Sequence, residues 1–159
     1  MPRRLVVLRH AKSDWPEGVA DHRRPLGPRG RREAPLAGRW LKEHVQPIDL
    51  VVCSPAERAA QTWALVAEEL DPVPELRVEA RLYDATEARL LDVIRELPES
   101  ASTVLFVGHN PGLEDLISVL TGRYCVMKTS SIAVMSSEAG WAAADLGWAT
   151  LDAAETPRM

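Results

Sequence analysis

The sequence predicts an α/β domain built around a mainly parallel sheet with an antiparallel edge. Apolar runs of about four to six residues, typical of buried strands, alternate with longer segments of helical period. The last two apolar runs are joined by Ser137-Glu138-Ala139-Gly140, whose turn chemistry suits a hairpin. At 159 residues the chain has the size of one domain with its own core.

Taken in order, strands are expected at residues 4–8, 50–53, 76–79 and 103–107, with the hairpin at 132–136 and 141–146. Helices are expected at 28–45, 55–70, 86–97 and 111–120, each with apolar residues at helical spacing and a start signal. Ser54-Pro55 and Asn110-Pro111 read as N-cap and first-turn pairs, because the missing N–H of proline would lack a partner there anyway. Residues 11–27 form a long polar connection where a short loop would have sufficed, and such loops are often functional. No repeat, low-complexity tract or Gly/Ser-rich linker divides the chain, so residues 1–159 are read as a single domain.

Composition narrows the function. With 46% hydrophobic and 26% charged residues the chain is neither disordered nor fibrous. Lys and Arg total 19 against 23 Asp and Glu, a net charge of −4 that disfavours nucleic acid as a partner. The run Leu5-Val6-Val7-Leu8 ends at Arg9 and His10, too short for an export signal, and no stretch approaches the roughly 18 apolar residues of a membrane helix. A cytoplasmic location without membrane contact is therefore expected. Cys53 and Cys125 have no metal-ligand spacing and read as reduced core residues, so neither a metal nor a cofactor is expected. No heptad or long apolar edge demands an oligomer, and a monomer is expected.

The chemistry gathers at strand ends. The first strand runs into Arg9 and His10, the second into Ser54-Pro55 with Arg58 one helical turn on, and the fourth into Gly108-His109-Asn110. In open α/β sheets ligands bind at this carboxyl edge, and each helix start adds free N–H groups and the positive end of a dipole. A phosphate is the natural guest. Arginine binds it bidentately with a permanent charge, and a neutral imidazole can attack phosphorus to form a covalent phosphohistidine. Singly, each residue has an ordinary reading as a hydrogen-bonded histidine or a solvated arginine; their joint placement carries the argument. Gly108 and Gly112 read as turn residues, His44 as a surface residue near a helix end, and Trp141 and Trp148 as core. Trp15, in the long loop, could pack on a partner.

These residues carry a resemblance. Leu8-Arg9-His10-Ala11 resembles the Arg-His-Gly signature of the histidine phosphatase (phosphoglycerate mutase-like) superfamily, with Ala for the usual Gly. Residues 54–62, Ser-Pro-Ala-Glu-Arg-Ala-Ala-Gln-Thr, resemble its second motif, and Gly108-His109-Asn110 its third. Residues 21–26, Asp-His-Arg-Arg-Pro-Leu, are similar to the SixA-type phosphohistidine phosphatases. The resemblance implies a three-layer α/β/α sandwich with helices on both faces of the sheet, His10 as nucleophile, and Arg9, Arg58 and His109 binding the phosphoryl group. It also suggests that Asp21 and Arg24 lie near the pocket, the ordinary alternative being an ion pair that pins the loop. A charged His109 would donate hydrogen bonds to the phosphoryl oxygens.

Two departures shape the expected chemistry. Ala11 needs a backbone angle that Ala can adopt. In residues 81–87, where many members of the superfamily place a glutamate general acid, only Asp84 and Glu87 are approximate stand-ins. An alkyl phosphate leaves poorly without a proton donor, whereas an imidazole needs much less help. The expected activity is thus metal-independent hydrolysis of a phosphorylated protein at phosphohistidine. The alternatives are a phosphatase of small phosphorylated metabolites and a phosphate-recognising module with little turnover.

Overall fold

A computed structural model describes residues 2–158 of the chain. Among these, six strands form one sheet: β1 (Arg3–Arg9), β2 (Leu50–Cys53), β3 (Glu75–Val78), β4 (Thr103–Gly108), β5 (Ile132–Ser137) and β6 (Thr150–Glu155). Their order is β3-β2-β4-β1-β5-β6. β1, β2, β3 and β4 are mutually parallel where they pair, and β5 runs antiparallel to both β1 and β6. The central strands read as unbroken apolar runs because both of their faces are covered.

The side-chain alternation of β1 divides the core in two. Leu5 and Val7 point into a cluster with Phe106, Leu90, Ile94 and Leu116, under α3 (Glu87–Arg95) and α4 (Gly112–Thr121). Val6 and Leu8 point the other way, into a cluster with Leu41, Trp63, Val66 and Leu105, under α1 (Pro28–His44) and α2 (Glu57–Ala67). The three-layer arrangement is the predicted one.

The antiparallel edge is present, but its last strand is displaced. Residues 141–146 are not a strand: Trp141–Ala143 form a 3₁₀ turn, and β6 begins at Thr150. The cause is the pair of tryptophans. Trp141 is fully buried, donates Nε1–H to Ala101 O at 2.8 Å and packs on Trp148 at 5.6 Å between ring centroids. Its anchor points inward and leaves no alternating face to pair. Both cysteines are buried and unbridged. His44 lies exposed at the C-terminal end of α1, stacked on Trp40 at 4.4 Å.

Helix starts also differ. α2 begins at Glu57, where Ser54 Oγ accepts from the Ala56 N–H at 3.2 Å without capping the helix itself. α4 begins at Gly112, and Asn110 Nδ2 donates to Met127 O instead of capping. Gly112 is more than a turn residue, since a Cβ there would stand 2.6 Å from Ala85 O. Its hydrogen side chain lets the 83–87 segment close onto the start of α4.

Candidate active site at the carboxyl edge of the sheet

Register brings the predicted residues together. Arg9 pairs with Gly108 across β1 and β4, and Cys53 with Val107 across β2 and β4. Two further hydrogen bonds, His10 N–H to Gly108 O and Ser54 N–H to Val107 O, each 3.0 Å, carry the alignment past the strand ends. The next side chains therefore emerge at one level. Arg9, His10, Arg58 and His109 line one cavity of about 240 Å³ with Arg24, with Trp15 of the long loop and Asn110 of the third motif, and with three residues the sequence did not single out: Lys12, Ser13 and Thr129. The length of the 11–27 loop was the available signal for Lys12 and Ser13; for Thr129 there was none.

The two histidine rings lie 5.2 Å apart. His10 Nδ1 is 2.7 Å from Ala11 O. A carbonyl only accepts, so Nδ1 carries the proton and the lone pair is on Nε2. Burial, with the nearby His109, Arg58 and Arg9, brings the His10 pKa down to about 3, against the Ala11 bond. The ring is neutral at neutral pH.

His109 is brought down to about 4 by burial first and by Arg58, with Asp21 opposing. The expectation of a charged His109 therefore fails for the protein alone, because its ring is buried among guanidinium groups. Its Nε2 lies 2.7 Å from Ser54 Oγ, and its Nδ1 is buried with no hydrogen-bond partner. The same holds for the Nε atoms of Arg9 and Arg58. Three buried nitrogens of three cavity-lining residues thus await partners, an arrangement that costs free energy unless something accepts from them.

Asp21 resolves into an ion-pair hub. Its carboxylate accepts from Arg24 at 3.0 Å, Arg58 at 3.2 Å and the Tyr83 hydroxyl at 2.5 Å, while its backbone carbonyl accepts from Arg58 at 2.8 Å. These bonds, that of Tyr83 foremost, hold its pKa far below the usual carboxylate range. Asp21 does not line the cavity; it fixes two arginines that do. Arg58 also sits at the start of α2, whose Thr62 Oγ1 receives the Ala11 N–H at 2.9 Å. Ala11 is fully buried and is absent from the residues with positive φ, so the expected angle is met.

No carboxylate lines the cavity, and Asp84 and Glu87 stand outside it. Asp84 occupies a left-handed turn (φ 54°) and Glu87 opens α3. Among the described residues no three His, Cys, Asp or Glu side chains come together as a metal-ion site, and no helix is long and apolar enough to cross a membrane.

Comparison with known proteins follows this geometry. The profile of the histidine phosphatase superfamily (branch 1) matches residues 5–85. An uncharacterised Mycobacterium tuberculosis protein is 38% identical over 162 residues, covering 95% of this chain and all of the relative. The chain belongs to the histidine phosphatase superfamily. Within that superfamily it is similar to the solved structure of a protein from Nakamurella multipartitia provisionally named phosphohistidine phosphatase SixA, with 31% identity, a TM-score of 0.89, and coverage of 99% of this chain and 97% of the other. It is also similar to the protein histidine phosphatase SixA in complex with tungstate, at 25% identity, TM-score 0.85 and 97% coverage of both chains. Membership of a histidine phosphatase family of this SixA-type branch gives the class of activity, a phosphatase.

Proposed function

We propose that this phosphatase removes phosphoryl groups from phosphohistidine in proteins, with His10 as nucleophile. The observation that carries the reading is the His10 ring: neutral, with its Nδ1 proton held by Ala11 O and Nε2 left as the nucleophilic atom at the cavity. In the first step the Nε2 lone pair bonds phosphorus while the bond from phosphorus to the substrate's imidazole nitrogen breaks, its electron pair staying on that ring, which already carries a proton on its other nitrogen and so leaves as neutral imidazole. In the second, a water oxygen bonds phosphorus and the phosphorus–Nε2 bond breaks, its pair returning to His10. The water's proton leaves with orthophosphate or to solvent.

Arg9 and Arg58 meet the charge on the transferring group, their unpartnered Nε–H groups being the natural donors to its oxygens. Ser54 Oγ already accepts from Ala56, so its own proton is free to donate to His109 Nε2. His109 then carries its proton on Nδ1 and donates it as a neutral ring. Arg24, which also lines the cavity, adds positive charge to it.

The leaving group selects the substrate. A phosphohistidine ring that carries a proton on its other nitrogen departs as neutral imidazole, whose conjugate acid has an ordinary pKa of about 6.5, whereas a serine alkoxide departs as something close to hydroxide, about 15.7 for water. With no carboxylate lining the cavity, only the first departs readily. The similarity to SixA proteins, one of them holding the phosphate-like oxyanion tungstate, supports the same reading.

The test is phosphate release from a phosphohistidine peptide, a phosphoserine peptide and an activated aryl phosphate, by wild type and His10→Ala. Release from the first and third alone, lost in the variant, is the expected result. Efficient phosphoserine hydrolysis would overturn the substrate assignment, an active His10→Ala would overturn the nucleophile, and binding without release would make the protein a phosphate-recognising module.

A further inference from the structure

Trp15, on the 11–27 loop, is the large hydrophobic side chain of the cavity wall and is 74% exposed. It is nonetheless held in place. The Arg24 guanidinium carbon lies 3.2 Å from the indole centroid, and Arg24 is itself only 7% exposed. Its three nitrogens are committed: Nε–H to Asp14 O at 3.0 Å, and the two terminal groups to Asp21 at 3.0 Å and Ser13 Oγ at 2.6 Å. The guanidinium is thus a fixed plate, and the indole lies on it with one face covered by a cation–π contact. The other face is left to solvent.

We propose that this open indole face is a subsite for a planar leaving group, an imidazole or another aromatic ring, and that it makes the protein prefer phosphoryl groups carried on rings. Phosphorus must lie near His10 Nε2. An in-line displacement sends the leaving group away from His10, and Trp15 is the exposed aromatic side chain that lines the same cavity. A flat ring departing there meets a flat, immobilised, open indole, and offset stacking favours that contact. The absence of a lining carboxylate excludes leaving groups that need a proton, and the indole favours, among the remainder, those with a π-face. A lone exposed tryptophan is too small an area for a protein-docking patch, which usually covers several hundred Å².

This inference rests on the phosphatase reading, so its test includes binding as well as turnover. Affinities of phenylphosphonate and methylphosphonate, both unhydrolysable, are measured by calorimetry for wild type, Trp15→Ala and Trp15→Phe. Wild type is expected to prefer the phenyl compound about tenfold, Trp15→Ala to lose that preference, and Trp15→Phe to keep most of it. In turnover, Trp15→Ala should lower kcat/KM for an aryl phosphate about tenfold more than for acetyl phosphate, which is activated but carries no ring. Equal affinities of wild type for the two phosphonates, or equal losses on both substrates, would overturn the proposal; the second result would make Trp15 only a prop for Arg24. A loss seen with a phosphorylated protein but not with aryl phosphate would also overturn it, in favour of protein docking. A protein that prefers phenylphosphonate through Trp15 yet releases no phosphate would keep the subsite and sink the phosphatase mechanism.

Discussion

The cavity has two walls made by different means. Arg9, His10, Arg58 and His109 stand on the ends or continuations of β1, β2 and β4, whose pairing is locked by buried register. Lys12, Ser13, Trp15 and Arg24 stand on the 11–27 loop, which has no sheet beneath it. Individual tethers hold this second wall: Leu26 N–H to Gln61 Oε1 at 2.8 Å, Gly27 N–H to Lys12 O at 3.0 Å, the Ser13–Leu26 bridge, and the Arg24 bonds. Gly30 belongs with them, because any Cβ there would collide with Lys12 O. A hydrogen bond of this kind is worth about 1 kcal/mol net, whereas a buried strand draws on the whole core. Asp21 joins the walls, gripping Arg24 of one and Arg58 of the other. Substitutions on the strand wall should therefore remove chemistry, and those on the loop wall should change positioning and preference.

The largest effect tests the strand wall at its centre. His10→Ala should lower turnover at least about a thousandfold with circular dichroism unchanged; comparable activity in the variant would remove His10 as nucleophile. Arg58→Ala should cost about 10²–10³ in kcat, more than Arg58→Lys, since a lysine cannot hold Asp21 and a phosphoryl oxygen through separate nitrogens. Equal losses for the two variants would show that charge alone matters.

Asp21→Asn asks how far the walls depend on their link. Activity should fall about tenfold, chiefly through KM. The variant should also lose a pH dependence: the folded pKa of Asp21 lies below its unfolded value of about 3.9, so its stabilisation is present above about pH 4 and fades as pH falls through the folded value. The carboxylate is half exposed, which limits the effect to about 1 kcal/mol. Acid unfolding should therefore be slightly shallower in Asp21→Asn than in wild type, and identical curves would count against the hub.

Two small effects complete the comparison. Asp84→Asn and Glu87→Gln should change phosphohistidine hydrolysis less than about twofold, because neither residue lines the cavity; a hundredfold loss would reveal a proton donor. Ring signals of His10 and His109 in nuclear magnetic resonance should stay still from about pH 8 to about pH 5, given pKa values of about 3 and about 4. A midpoint near pH 6.5 for either would contradict the burial argument.

Sequence reading and structure part company along the same line as the two walls. Strands buried on both faces announce themselves as apolar runs, so β1, β2 and β4 and the residues just past their ends could be read directly. β6 could not, because the tryptophans that displace it are ordinary apolar letters until their packing is known. In the loop, the Asp21 and Arg24 pairing was an alternative at the sequence level. The part played by Tyr83, 62 positions away from Asp21, had no local signal.

The sequence by itself determined the layered α/β class, the strand ends that carry arginine and histidine, and that residues 81–87 offer only Asp84 and Glu87 where a glutamate acid would stand, because periodicity and residue chemistry are local properties. Only the tertiary structure decided that Arg9 pairs with Gly108 and Cys53 with Val107, that Nδ1 of His10 is the protonated nitrogen, and that Arg24 lies beneath Trp15. Those facts depend on which distant segments the buried sheet and the folded loop press together, and on the low-dielectric surroundings that result.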